Sequence, residues 1–273
     1  MTAWPKPVSA AAVEVKIERL DGDAFAPFGT VIQNPARAER RASSTLRLNV
    51  VEANQGSALK YVDVSHLTNH YGSAPSGRPA RPVVNMFVCK PRPLRARRWP
   101  GAGEADHVFD VRVLERHPFT PQTFVPVGLA AADPKTKYLV VVAPTLPDVQ
   151  QAATGVASGL RKPRPARPSH PTTQLSDAEA LAPKPKGQGL PDLSKLRAFL
   201  ADGSQAVTYG PGTWHAPMVV LGEEPVDFVV VQFANGVGDE DCQEVLLQSE
   251  GGKGVEVVVE MTPDSPQLVR SKL

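Results

Sequence analysis

Proline decides what this chain cannot become. Twenty-eight prolines and twenty-one glycines fall between short apolar runs. A proline inside a helix lacks the N–H the ladder needs, and its ring clashes with the preceding turn. In Leu114–Gly128, Pro118, Pro121 and Pro126 exclude a helix, while Phe119, Phe124 and Val127 still supply apolar mass. Tyr138–Ala143 and Asp227–Phe233 are rich in valine and read as buried strands, as does Val83–Cys89. Val13–Leu20 alternates, Ser44–Val51 and Gly254–Met261 add further strands, and Val108–Leu114 begins a strand or a helix. Asp23–Ile32 reads as a short turn or helical piece leading into a strand. One segment has a helical period: in Pro191–Leu200, Leu193, Leu196, Phe199 and Leu200 share a face and Gly203 follows the end. It is expected to cover a sheet. Many short strands and a few short helices predict an all-β barrel or sandwich.

The chain has 273 residues, which suits one large β-rich domain or two small domains, and a formal charge of +2 gives no electrostatic footprint for nucleic acid. Cys89 and Cys242 are far apart with no CxxC spacing, so they read as free thiols of a reducing compartment. No apolar run is long enough to span a membrane, and residues 1–12 lack the apolar core of a secretory signal. Residues 148–190 differ in kind. Arg161-Lys-Pro-Arg-Pro-Ala-Arg-Pro and Pro183-Lys-Pro-Lys-Gly-Gln-Gly predict an extended, flexible basic insertion, with a short capped helix at Ser176–Leu181. The run Arg92, Arg95, Arg97 and Arg98 is read as a solvated loop, and Asn235–Asp241 as a solvated acidic turn rather than a calcium site. Ser271-Lys272-Leu273 matches the peroxisomal import tripeptide, which predicts recognition by the import receptor and a peroxisomal location, with the cytoplasm as the alternative.

The chemistry gathers around Tyr209-Gly-Pro-Gly-Thr-Trp-His-Ala-Pro217. Pro211-Gly212 is a turn signal, because proline presets one angle and glycine tolerates positive φ. The turn places Trp214 and His215 at the start of the next strand. About a hundred residues upstream, Glu115 and His117 are two apart and share a strand face. Gln122 can join them across the turn of Pro118–Pro121. Glu115, His117, Gln122 and His215 are therefore expected to converge inside a small barrel. They form a set of oxygen and nitrogen donors suited to acid–base work or to a divalent metal.

This spacing resembles the two cupin motifs, with Glu115, His117, Gln122 and Gly128 in the first and Pro211-Gly-Thr-Trp-His215 in the second. Glutamate stands where that pattern has a histidine, and glutamine where it has a glutamate. Within the cupins the chain resembles the ureidoglycolate lyases of allantoin breakdown. The resemblance rests on Phe25-Ala-Pro-Phe-Gly-Thr-Val-Ile, Leu114-Glu-Arg-His-Pro, Gln122-Thr-Phe-Val-Pro, Val140-Val-Val-Ala, Pro191-Asp-Leu-Ser-Lys-Leu-Arg-Ala-Phe, Trp214-His-Ala-Pro, Asp227-Phe and Asp241-Cys-Gln-Glu, in order over nearly the whole chain. It implies a single cupin-like double-stranded β-helix domain of fungal type, spanning residues 1–273. It also implies a homodimer, and conversion of (S)-ureidoglycolate to glyoxylate and urea, with nickel or a similar divalent metal as the associated cofactor. In that chemistry Glu115 or His117 is the base and His215 the acid, or the roles are reversed, and Gln122 orients. Arg47, Arg116 and Lys137 are the candidate cations for the substrate carboxylate, although strand alternation points Arg116 away from Glu115. Tyr209 and Trp214 are the candidate aromatic contacts. Two other readings stay open: a hydrolase releasing ammonia, and a non-catalytic cupin that binds a small acid.

Overall fold

In the segment Lys137–Ala143, Tyr138, Val140 and Val142 pack into one core while Leu139, Val141 and Ala143 pack into another. A strand buried on both faces reads as a continuous apolar run, because alternate side chains each find a core. The rest of the molecule is arranged on either side of this strand. The computed structural model describes residues 5–10, 14–38, 49–97, 106–147, 189–248 and 254–259. Arg47, Arg98, the tripeptide 271–273, the segment Ser176–Leu181 and nearly all of the predicted insertion lie outside the described residues.

In chain order the strands are β1 Lys6–Ser9, β2 Glu14–Arg19, β3 Gly29–Gln33, β4 Asn49–Ala53, β5 Ala58–Val62, β6 Arg81–Cys89, β7 Arg95–Arg97, β8 Asp106–Val111 and β9 Val113–Arg116. They continue with β10 Gln122–Val127, β11 Lys137–Ala143, β12 Arg197–Ala201, β13 Gln205–Tyr209, β14 Trp214–His215, β15 Val219–Leu221, β16 Val226–Ala234, β17 Gln243–Gln248 and β18 Val255–Val259. The α-helices are single turns: α1 Gly22–Phe25, α2 Pro35–Ala38 and α3 Gly238–Asp241. An eleven-stranded sheet runs β1-β17-β9-β14-β11-β12-β2-β18-β8-β7, with β15 also paired to β11. A five-stranded sheet runs β3-β13-β10-β16-β6, and β4 and β5 form a separate hairpin. This all-β architecture is the predicted one and is consistent with a cupin-like barrel.

Between the two main sheets lies the inner core, where Tyr138, Val140 and Phe199 of the large sheet meet Phe124, Val207 and Phe228 of the small one. The Phe228 ring packs edge-on against Tyr138 at 5.2 Å and at a steep angle to Phe124 at 5.8 Å, geometries that aromatic quadrupoles favour. The outer core lies on the other face of the large sheet and holds Leu114, Val141, Trp214, Val245 and Val257.

Three sequence expectations are corrected. The predicted helix Pro191–Leu200 is one 3₁₀ turn, Leu193–Lys195, capped by Asp192, and then strand β12. Its apolar residues serve two cores: Leu196 and Ala198 join the outer one, Phe199 and Ala201 the inner. Two-sided burial mimics a helical stripe. Val83–Cys89 is a strand, but β6 lies at a sheet edge and Val84, Met86 and Val88 are 69%, 57% and 62% exposed. Two members of the basic run are paired, Arg95 against Asp110 (2.9 Å) and Glu256 (2.6 Å), and Arg97 against Glu14 (3.0 Å) and Glu256 (2.8 Å).

Candidate active site

Strand register brings the two motifs together. His215 of β14 lies opposite Glu115 of β9 on one side and opposite Val142 of β11 on the other. Directly opposed residues of an antiparallel pair share a face. Val142 belongs to the inner core, so Glu115 and His215 face inward as well. Arg116 and Trp214 therefore take the opposite face. The Arg116 guanidinium lies 4.7 Å from the Trp214 ring centroid and donates to Gln243 Oε1 and Thr145 Oγ1. Burial lowers its pKa to about 10.

The turn before His215 forms as its sequence predicts. The Gly210 carbonyl accepts the Thr213 N–H at 3.0 Å, and Gly212 has φ +73, as the third residue of a type II turn requires. The Gly212 N–H donates to the His117 carbonyl at 2.9 Å, tying this turn to the first motif. Below it, a Cβ on Gly29 would lie 1.8 Å from the Thr208 carbonyl oxygen, so only glycine lets β3 pair with β13 there.

His215 Nδ1 lies 3.1 Å from the Thr213 carbonyl, and Nε2 lies 3.1 Å from Gln122 Oε1 and 3.4 Å from Glu115 Oε1. Each ring nitrogen faces an acceptor, so one or two protons can be carried without an unpaired N–H. The Gln122 amide nitrogen donates to Gln232 Oε1 at 2.7 Å, which turns its oxygen toward His215. The Tyr209 ring stacks on His215 at 4.0 Å, with 7° between planes. His117 Nδ1 donates to the Asp241 carbonyl at 2.6 Å, while its buried Nε2 has the Gln122 side chain near it but makes no well-formed hydrogen bond among the described residues. Burial, and then the neighbouring His215, lower the His117 pKa to about 4, so this ring is neutral at pH 7. Burial pushes the Glu115 carboxyl up, but the His215 hydrogen bond and the positive charge that His215 and His117 carry when protonated outweigh it, and the net direction is down.

The anchor of His117 is itself built. The Asp241 carboxylate accepts from Tyr71 O–H (2.7 Å), Asn235 N–H (2.9 Å) and Gly236 N–H (2.7 Å). Beside it the buried Glu240 accepts from Ser76 and Asn235. The acidic stretch predicted as a solvated turn is thus a ligated corner, because backbone and side-chain donors converge on two of its carboxylates.

The donor set fits a divalent metal. Ligand atoms of Glu115, His117 and His215 lie within 4.8 Å of one another. Both histidines direct Nδ1 at backbone carbonyls, which is how ligating imidazoles are oriented. The orphaned His117 Nε2 is the atom such an ion would satisfy.

Glu115 opens onto a cavity of about 330 Å³ lined also by Phe87, Cys89, Lys90, Arg92, Phe124, Pro217 and Met218. Of the other sequence candidates, Tyr209 is buried under His215, Trp214 faces the outer core, and Lys137 donates to the Asp133 carbonyl at 2.6 Å. Neither Arg116 nor Lys137 lines the cavity. Sequence reasoning passed over Lys90 and read Arg92 as part of a solvated basic loop; both follow the end of β6. The available signal was their position just beyond a strand, around Pro91. Cys242 Sγ also approaches Glu115 Oε2, at 4.0 Å, and burial pushes its thiol up to about 12.

An all-β chain with a carboxylate, two imidazoles and an amide gathered on one inner wall beside a small cavity is a barrel protein equipped for proton-transfer or metal-assisted chemistry. The family described as Ureidoglycolate lyase matches residues 12–252, and the chain belongs to that family. It is 31% identical to the ureidoglycolate lyase of Schizosaccharomyces pombe over 85% of this chain and 91% of that one. It is 33% identical to the Saccharomyces cerevisiae ureidoglycolate lyase over 85% and 93%, and 29% identical to a Burkholderia mallei ureidoglycolate lyase over 80% and 81%.

If the Asp241 corner holds His117 in place, Asp241→Ala strands three donors. It should lower unfolding free energy by about 3–5 kcal/mol in urea denaturation, since a hydrogen bond to a charged acceptor contributes roughly 1.5–3 kcal/mol and water can replace the exposed one from Gly236. A change under about 1 kcal/mol would mean the corner is not structural.

Proposed function

We propose that this chain is a ureidoglycolate lyase that eliminates urea from (S)-ureidoglycolate to give glyoxylate, with Glu115 as base and His215 as acid. The observation that carries the reading is the contact of Glu115 and His215 on the inner wall, in a chain of this family. In the substrate one carbon bears a carboxylate, a hydroxyl and a ureido nitrogen. Glu115, held ionised beside the imidazoles, takes the hydroxyl proton as the carbonyl forms. The carbon–nitrogen bond breaks, and His215 gives a proton to the departing nitrogen, so urea leaves neutral rather than as an anion. Glu115 and His215 are close enough for the proton gained by one to restore the other. Gln122, fixed by Gln232, holds the imidazole orientation. Glu115, His117 and His215, with Gln122 beside them, would hold a divalent ion, which when bound supplies Lewis-acid polarisation of an oxygen ligand.

The homodimer belongs to the same proposal. Val84, Met86 and Val88 share the exposed face of β6 with Val125 and Val127 of β10, two strands away in the same sheet. A second copy, related by a twofold axis, would cover this stripe with the same stripe. Met86→Lys should then shift the protein to a monomer in light scattering, and an unchanged mass would reject this face.

Purified protein given ureidoglycolate should release urea and glyoxylate in equal amounts and no ammonia. Glu115→Gln and His215→Ala should each lower turnover about a hundredfold to ten-thousandfold with circular dichroism unchanged, whereas His66→Ala should have little effect. Near-normal turnover in both site variants would refute the assignment.

A further inference from the structure

A substrate carboxylate entering the cavity approaches the Glu115 carboxylate, and like charges repel most where water is scarce. A cation must therefore meet the substrate away from Glu115. Of the cations expected from the sequence, Arg47 lies outside the described residues, and the two that are described do not line this cavity: Arg116 lies on the opposite strand face and Lys137 is tied to Asp133.

We infer that Lys90 and Arg92, which line the same cavity as Glu115, receive the carboxylate of the 2-hydroxy acid substrate. This rests on the lyase reading for the identity of the acid, though not for the presence of an anion site. Three observations support it. Lys90 and Arg92 are the cationic side chains among those lining the cavity. Neither has an ion-pair partner among the described residues, whereas Arg95 and Arg97, next along the chain, are both paired; the Arg92 guanidinium lies 5.6 Å from the Phe109 ring centroid. The segment that carries them is fixed. Pro91 bridges to Val220 and the Arg92 N–H donates to the Val220 carbonyl at 2.9 Å. Pro93 restricts the next backbone step, so the segment that carries both residues is fixed beside the cavity without ordering a loop on binding. Val220 is in β15, which follows Pro217 and Met218 of the cavity wall, so wall and cations are parts of one piece of structure. The cavity, about 330 Å³, suits a small acid. Its charges then run from cations at one part of the lining to Glu115 at another. That polarity orients the substrate with its carboxylate away from the base.

The test uses the full chain and the variants Lys90→Gln, Arg92→Gln, the double variant and Lys90→Arg. Binding of glycolate and of its uncharged amide, glycolamide, is followed by calorimetry, and KM and kcat are measured with ureidoglycolate. Each Gln variant should weaken glycolate and raise KM about tenfold to a hundredfold, the range of a hydrogen bond between charged partners. Glycolamide affinity should be unchanged and kcat should move less than KM. Lys90→Arg should restore most of the loss. A double variant that binds glycolate like the parent overturns the inference, as does one that loses glycolate and glycolamide equally. A parent protein that binds glycolate through these residues but releases no urea upholds the anion site and rejects the lyase reading.

Discussion

The site depends on one backbone register. Pairing of β14 with β9 places His215 opposite Glu115, and pairing of β14 with β11 turns both toward the inner core. A slip of one residue would exchange His215 for Trp214 and Glu115 for Arg116. The inner wall would then carry an indole and a guanidinium, and the outer core would receive a carboxylate and an imidazole. The alternation that packs Trp214 under Arg116 thus also delivers the acid–base pair. The Pro211-Gly212 turn, bonded to the His117 carbonyl, fixes where that register starts.

Burying this much polarity is tolerated because nearly every group is answered. His215 has acceptors at both nitrogens, Gln122 is held by Gln232, and His117 is anchored on the Asp241 carbonyl. The exception is His117 Nε2, buried without a well-formed hydrogen bond among the described residues, in a wall of otherwise satisfied groups. Such orphans are rare in folded proteins, and one facing other ligand atoms marks where an ion or a substrate atom belongs.

Much of this was legible in the sequence because it was local. The Pro211-Gly212 turn, the shared face of Glu115 and His117, the outward turn of Arg116 and the valine-rich strand at Tyr138–Ala143 all follow from residue type and period. What failed was whatever depends on the far side of a contact. The apolar spacing of Leu193, Leu196, Phe199 and Leu200 fits a helix until one knows that two cores flank the strand β12. Val83–Cys89 has the composition of an interior strand, yet lies at an edge. Arg95 and Arg97 read as solvated because Asp110 and Glu256, which pair with them, are distant in sequence. Lys90 was passed over, and Arg92 read as a loop residue, for the same reason: a lysine and an arginine around a proline carry no signal until they are found lining one cavity with Glu115.

The central claim is that Glu115 and His215 act as one unit. A double-mutant cycle on kcat/KM with Glu115→Gln, His215→Ala and the double variant measures that coupling directly. Groups that work together lose most of their effect when either is removed, so the double variant should be about as impaired as the worse single variant. Losses that multiply, each variant keeping its full effect in the presence of the other, would contradict the account.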